Sequence, residues 1–308
     1  MNALLMPNRA LTGQMRAVIS IMAALFLFSG WGAAGCSPAA STTPAGLNGL
    51  YFGQKPPGLK PEIFAPGIVS DPYSFEYSGT FSPDGTEYYF SRTGDNSQST
   101  LLFSKIENGE WTAPRPCDFT GGYVAGEAHL TFDNKTLYFM WNRNMPQNKP
   151  IPPSEARYYF VERTPGGWSE PKYAGPGMFL SSSRDGRIYT TDMTTGATYL
   201  AMVTTENGVF TNYEKLNIKP RAGSQAHPCI APDGSYILFD VNGGSYLYVS
   251  FKNADGTWGE AIDLTKHGFD FMAGGAYVSP DGKYLFFALK DDIWWVDIKV
   301  IQSLKPKA

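Results

Sequence analysis

Histidine and cysteine are scarce in this 308-residue chain, three of each, which leaves few ligands for a transition-metal centre or a disulfide scaffold. Its most apolar stretch, Val18 to Phe28, spans eleven residues, well short of the roughly 20 that cross a bilayer as a helix. Neither charge sign dominates: 25 Lys and Arg against 28 Asp and Glu give −3, so no basic field recruits nucleic acid. The sequence has no G-x-S-x-G elbow, H-E-x-x-H helix, P-loop or C-x-x-C pair, and no cofactor is expected. What it has in quantity is glycine (33), proline (23) and aromatics (20 Phe, 18 Tyr, 7 Trp), a mixture for many short strands on tight turns rather than long helices. With 43% hydrophobic and 17% charged residues, the chain can bury a core and is not intrinsically disordered.

The amino-terminal stretch reads as an export signal. Arg16 supplies a positive flank, Val18 to Phe28 the apolar run, and Gly32 to Gly35 the small residues a peptidase accepts. Ala33-Ala34-Gly35-Cys36 resembles a bacterial lipobox, with Ala33 where that pattern usually has Leu. The resemblance implies cleavage after residue 35, acylation of Cys36 and, because Ser rather than Asp follows it, an outer-membrane address facing the periplasm. Residues 36–60, rich in Pro, Ala, Ser, Thr and Gly, then read as a flexible tether. The chain from Cys36 on carries 23 basic and 28 acidic residues, a net charge of −5. Cys117 and Cys229 fall at different places in the repeat described next, and are expected to be two buried free thiols.

Thr80 to Phe90, TFSPDGTEYYF, returns four times, placing Asp84, Asp133, Asp185, Asp233 and Asp281 at intervals of 49, 52, 48 and 48 residues. Asp-Gly, replaced by Asp133-Asn134 in the second copy, supplies the positive φ of a tight hairpin, so each copy is strand, turn, strand. A third strand-like run follows each hairpin: Thr100 to Ile106, Arg157 to Glu162, Thr198 to Thr204, Ser245 to Lys252 and Asp292 to Lys299. A fourth element opens on Trp111, Trp168, Phe210 and Trp258 in the first four copies and is missing from the fifth. Pro61 to Val69 stands ahead of the first copy as the orphan that completes the last.

Four-stranded units at this period, with the two ends of the chain sharing one unit, make an all-β, five-bladed β-propeller over residues 61–303, followed by a short tail at 304–308. The 243 residues of that span give about 49 per blade. A six-bladed ring would need a decayed copy, for which even the 52-residue interval has no room. The Ser-Pro-Asp-Gly hairpin with its following aromatic strand resembles the WD-repeat-like propeller repeat of the TolB type. That family has six blades and an additional amino-terminal domain, so its partners are not implied here.

Candidate site residues follow from the propeller. Inner strands line a central channel, and Glu127 and His129 stand on one of them at i and i+2, while His227 occupies in the fourth unit the place of Glu127 in the second. Arg92 and Arg143 lie just beyond second strands, where they could grip a carboxylate or sugar. The Pro-rich excursion at 142–156 breaks the repeat where binding loops are commonly grafted. These groups, with no metal, suit a monomeric, non-enzymatic scaffold binding an envelope protein segment or a glycan at the channel mouth. The competing reading is a carbohydrate-active hydrolase in which Glu76 and Glu127 pair across the channel, about 5 to 9.5 Å apart.

Overall fold

The computed structural model describes residues 47–94, 98–142, 157–194, 198–219, 223–241, 246–269 and 273–307. The export signal, Cys36, Arg143 and nearly all of the 142–156 excursion lie outside those residues. Five antiparallel sheets form in chain order, each entered by its innermost strand: Phe75–Phe81, Ala125–Leu130, Met178–Ser182, Gln225–Ile230 and Gly274–Val278. In blades 1 and 2 the outermost strand is broken into two short pieces, Glu110–Trp111 with Arg115–Pro116 and Gly167–Trp168 with Lys172–Pro176. The break falls at Pro114 and Pro171, which lack an N–H for the ladder.

The hairpins form for the reason their sequence suggests. In blade 1, Gly85 takes φ +73°, its N–H donates to the Ser82 carbonyl at 2.8 Å, and the Asp84 carboxylate accepts from the Ser82 and Thr86 hydroxyls at 2.6 and 2.8 Å. Thr131 with Asp133 and Ser279 with Asp281 repeat the arrangement, and Asn134 stands in for glycine at φ +59°. All five Asp turns therefore lie on one face of the ring, the turn face. The inner strands begin on the opposite, mouth face.

The ring closes where expected. Glu62–Ile63 pairs antiparallel with Asp292–Asp297, Glu62 opposite Trp295 and Ile63 opposite Trp294, and becomes the outer strand of blade 5. Beside it lies an aromatic cluster of Phe64, Phe81, Tyr88, Phe286 and Trp295, all fully buried, which joins blades 5 and 1. Cys117 and Cys229 are buried free thiols in separate clusters.

The expected tether ends early. From Leu47 the chain packs on the turn face at the seam between blades 1 and 5, which we call the clasp. Asn48 bridges Glu110, the Trp111 indole N–H donates to the Gly49 carbonyl at 2.7 Å, and the Phe52 ring stacks on Trp111 at 4.1 Å and 19°. Tyr51 sits among Phe81, Tyr284 and Trp295. Two buried aromatic side chains in a stretch otherwise rich in Pro and Gly are enough to pin it to the propeller, although most of its other residues stay exposed.

Candidate functional site

Each inner strand carries one extra residue opposite its neighbour, and that residue has positive φ: Ser78, Glu127, Phe179, His227 and Gly275, at +51°, +51°, +51°, +53° and +58°. The five share one position in the repeat and ring the channel at one level. Three of their backbone N–H groups, pulled out of the ladder by the bulge, are taken up by side chains of the preceding blade's second strand. Ser91 accepts from Glu127 at 2.9 Å, Thr191 from His227 at 2.8 Å and Asp240 from Gly275 at 3.2 Å. Blade 2 has Met140 at this place, and there the Glu127 carboxylate itself accepts the Phe179 N–H at 3.0 Å.

This bulge overturns the simple i, i+2 reading of Glu127 and His129, because the extra residue interrupts the alternation between them. The Glu127 carboxylate also accepts the Tyr158 hydroxyl at 3.0 Å, and burial raises its pKa above the ordinary carboxylate value. His129 reaches blade 3 further along, its Nε2 2.8 Å from the Ser182 hydroxyl, and burial lowers its pKa to about 4. His227 does match Glu127 in position. Its Nδ1 lies 2.7 Å from Asp240; burial opposes its charge, but Asp240 prevails and raises its pKa.

At this level the Phe179 ring packs among its neighbours around the channel, while Ser78, Phe179, His227 and Gly275 stay partly exposed. The Phe179 ring lies 4.1 Å from the His227 ring and 6.5 Å from Tyr77, and a Cβ on Gly275 would meet it at 3.1 Å. The turn-face end is closed by the ring of Pro83, Phe132, Arg184, Pro232 and Pro280. There the Arg184 N–H donates to the Pro232 carbonyl at 2.8 Å, its guanidinium bonds the Pro280 carbonyl, and it lies 5.7 Å from the Phe132 ring centre. The space enclosed near His129 is about 10 Å³, room for one water.

Arg92 turns inward from its strand instead of rimming a loop. Its Nε bonds Glu76 at 2.6 Å and its Nη2 bonds the Ile68 and Val69 carbonyls at 3.1 and 2.9 Å. Burial still outweighs that guanidinium and raises the Glu76 pKa to about 7. Glu76 and Glu127 thus engage different partners, Arg92 and the Asp71 N–H for one, Tyr158 and the Phe179 N–H for the other. Among the described residues, no group of three or more His, Cys, Asp and Glu is placed to hold a metal.

A wider, open concavity lies elsewhere on the mouth face, above Glu76 at the closing seam. A cleft of about 450 Å³ is walled by Asp71, Tyr73, Phe75, Thr93, Asp291 and Asp292. Tyr73 is 87% exposed, Phe75 stacks on Tyr77 at 5.2 Å, and burial, reinforced by Asp291 and Asp71, raises the Asp292 pKa. The cleft exists because the chain enters blade 1 beside the Lys290-Asp291 turn, whose φ values of +51° and +69° suit a two-residue hairpin. Sequence reasoning missed it, since its two walls are about 200 residues apart; the only local signal was the polar turn itself.

Compared by sequence, the chain matches no family model and none of the curated proteins. Compared by structure, it is similar to a putative TolB from Agrobacterium tumefaciens, with 17% identity, 71% of this chain and 72% of that one covered, and a TM-score of 0.47. TolB from Acinetobacter baumannii gives 16% identity over 72% of this chain and 54% of that one, with a TM-score of 0.48. A gluconolactonase from Xanthomonas campestris gives 11% identity over 78% and 94%, with a TM-score of 0.45. These are likenesses of propeller fold.

Proposed function

We propose that the chain is an exported, lipid-anchored propeller of the bacterial cell envelope that recognises a glycan on its mouth face, without turnover. The observation that carries this reading is the seam cleft. It is an open, shallow concavity of about 450 Å³, the form that suits a ligand left partly in solvent. A sugar ring offers an apolar C–H face and a rim of hydroxyls. An exposed tyrosine with Phe75 beside it suits the face, and Asp71, Asp291, Asp292 and Thr93 suit the hydroxyls. The resemblance of Ala33-Ala34-Gly35-Cys36 to a lipobox supports the anchor, and Ser37 after the cysteine supports an outer-membrane address facing the periplasm.

Recognition is favoured over hydrolysis by the pair Glu76 and Glu127, because both carboxylates are buried in bonds that hold the propeller together. The test is titration of the purified protein against a panel of envelope oligosaccharides. Binding that falls at least tenfold in Tyr73→Ala and Asp291→Asn, with the fold intact, supports the reading. Unchanged binding in both removes the cleft from the site, and release of cleaved sugar, lost in Asp291→Asn, would convert the reading into a hydrolase. Fractionation of Cys36→Ala tests the anchor: a variant still held at the membrane refutes it.

A further inference from the structure

The seam cleft does not end at its own walls. Phe75, one of those walls, stacks on Tyr77 at 5.2 Å and 15°; Tyr77 meets Phe179 at 6.5 Å, and Phe179 meets His227 at 4.1 Å. Tyr77 stands on the inner strand of blade 1 and Phe179 on that of blade 3, so rings from blades that are not neighbours meet across the channel. All four residues are partly exposed, and because the turn-face end of the channel is closed, that exposure opens on the mouth face. We infer that the ligand of the cleft is a linear, neutral glycan, long enough to run from the cleft over this aromatic floor to His227. The inference rests on the glycan reading of the cleft proposed above.

Reach, charge and hydrogen bonding each narrow the ligand. A row of rings continuous with the cleft carries the apolar contact beyond a single sugar unit, so affinity gains from a longer chain. The charged residues of the cleft are Asp71, Asp291 and Asp292 against Lys290, an acidic balance that repels uronic or phosphorylated chains. At the far end the His227 ring is fixed by a fully buried carboxylate: Asp240 holds Nδ1 at 2.7 Å, which leaves Nε2 for a sugar hydroxyl. A peptide strand is served poorly here. The N–H groups of Glu127, Phe179, His227 and Gly275 are already bonded, to Ser91, Glu127, Thr191 and Asp240, so these bulges offer no N–H to a peptide main chain. Ring surface and side-chain polar groups are what a sugar chain uses.

The test is calorimetric titration of the full chain with cello- and chito-oligosaccharides of two to six units, and with oligogalacturonides of the same lengths. At least one neutral series is expected to bind about tenfold tighter at six units than at two, the gain that one or two added aromatic contacts supply, and the galacturonides to bind more weakly at every length. That length ratio should fall to near one in Phe179→Ala and His227→Ala, whereas Tyr73→Ala should weaken both lengths alike. Phe179→Leu, which keeps most of the packing volume and removes the ring, should act as Phe179→Ala does. Neutral chains bound without regard to length, but still through Tyr73, overturn the extended site and leave the cleft standing. A length ratio unmoved by Phe179→Leu and His227→Ala overturns the path, and galacturonides bound as tightly as the neutral chains overturn the neutrality. No binding in either neutral series, or binding indifferent to Tyr73→Ala, overturns the cleft reading and this inference with it.

Discussion

Replacing Phe52 by alanine tests whether residues 47–60 are part of the propeller or a passive leader. The ring is 1% exposed, stacks on Trp111 at 4.1 Å, and meets Phe64 and Tyr88 edge-on at 5.8 and 6.0 Å. Truncating such a side chain costs about 3–5 kcal/mol, through lost transfer free energy and the cavity left among rings that cannot all collapse inward. The backbone adds nothing to the difference, because Phe52 sits at φ +57° and alanine is equally strained there. For a domain of this size the loss corresponds to a drop in Tm of roughly 6–20 °C. The assay is urea denaturation followed by tryptophan fluorescence, with thermal unfolding in parallel, against the parent and against a deletion of residues 37–46. Phe52→Ala should lower the midpoint without changing the slope, while the deletion should leave both alone. A change in Phe52→Ala below about 1 kcal/mol, no larger than that of the deletion, would show that the clasp does not stabilise the ring and refute the packing argument.

Removing the partner of a buried acid is a second test: Arg92→Leu strands Glu76 and should cost about 3–5 kcal/mol at pH 8. The loss should shrink by pH 5, where Glu76, its pKa already raised to about 7, takes a proton instead; equal loss at both pH values would contradict this. His129 titrates the other way. Its pKa is about 4 when folded against 6.5 when free, so the unfolded chain binds more protons between those values and His129 costs stability as pH falls through that window. The stability of the parent relative to His129→Asn should therefore drop by up to about 3 kcal/mol from pH 7 to pH 4, read by denaturation at each pH, and a flat difference would sink the assignment. Gly275→Ala, at φ +58° and 3.1 Å from the Phe179 ring, should cost about 1–2 kcal/mol. A double-mutant cycle with Phe179→Ala should recover part of that loss, and strict additivity would mean the two do not touch.

The propeller was legible because its signals are local. Asp-Gly turns at a fixed interval and the orphan strand at 61–69 dictate blade number and closure without long-range information. The bulge was not legible: Glu127 and His227 hold left-handed backbone with no glycine to mark it, and the partners of their N–H groups, Ser91 and Thr191, stand 36 residues away in the preceding blade. Composition hid the clasp, since the prolines and glycines that suggested a tether surround the two buried rings that pin it to the propeller. Arg92 was read as a rim residue because a strand end and a loop look alike in sequence, and only the register places it opposite Glu76.

Ring closure also sets an order of events during synthesis. Glu62–Ile63 leaves the ribosome some 230 residues before its partner Asp292–Asp297. Until then the Phe64 and Tyr51 side chains lack the Phe286 and Trp295 rings they pack against, and joining ends some 230 residues apart carries a loop-closure cost of about 5 kcal/mol. Four blades can pair locally as they emerge, but the last cannot be completed before Asp292–Asp297 has been made. A nascent chain is thereby kept short of its native ring until its fifth blade is made, a state in which it can still be threaded through a narrow pore.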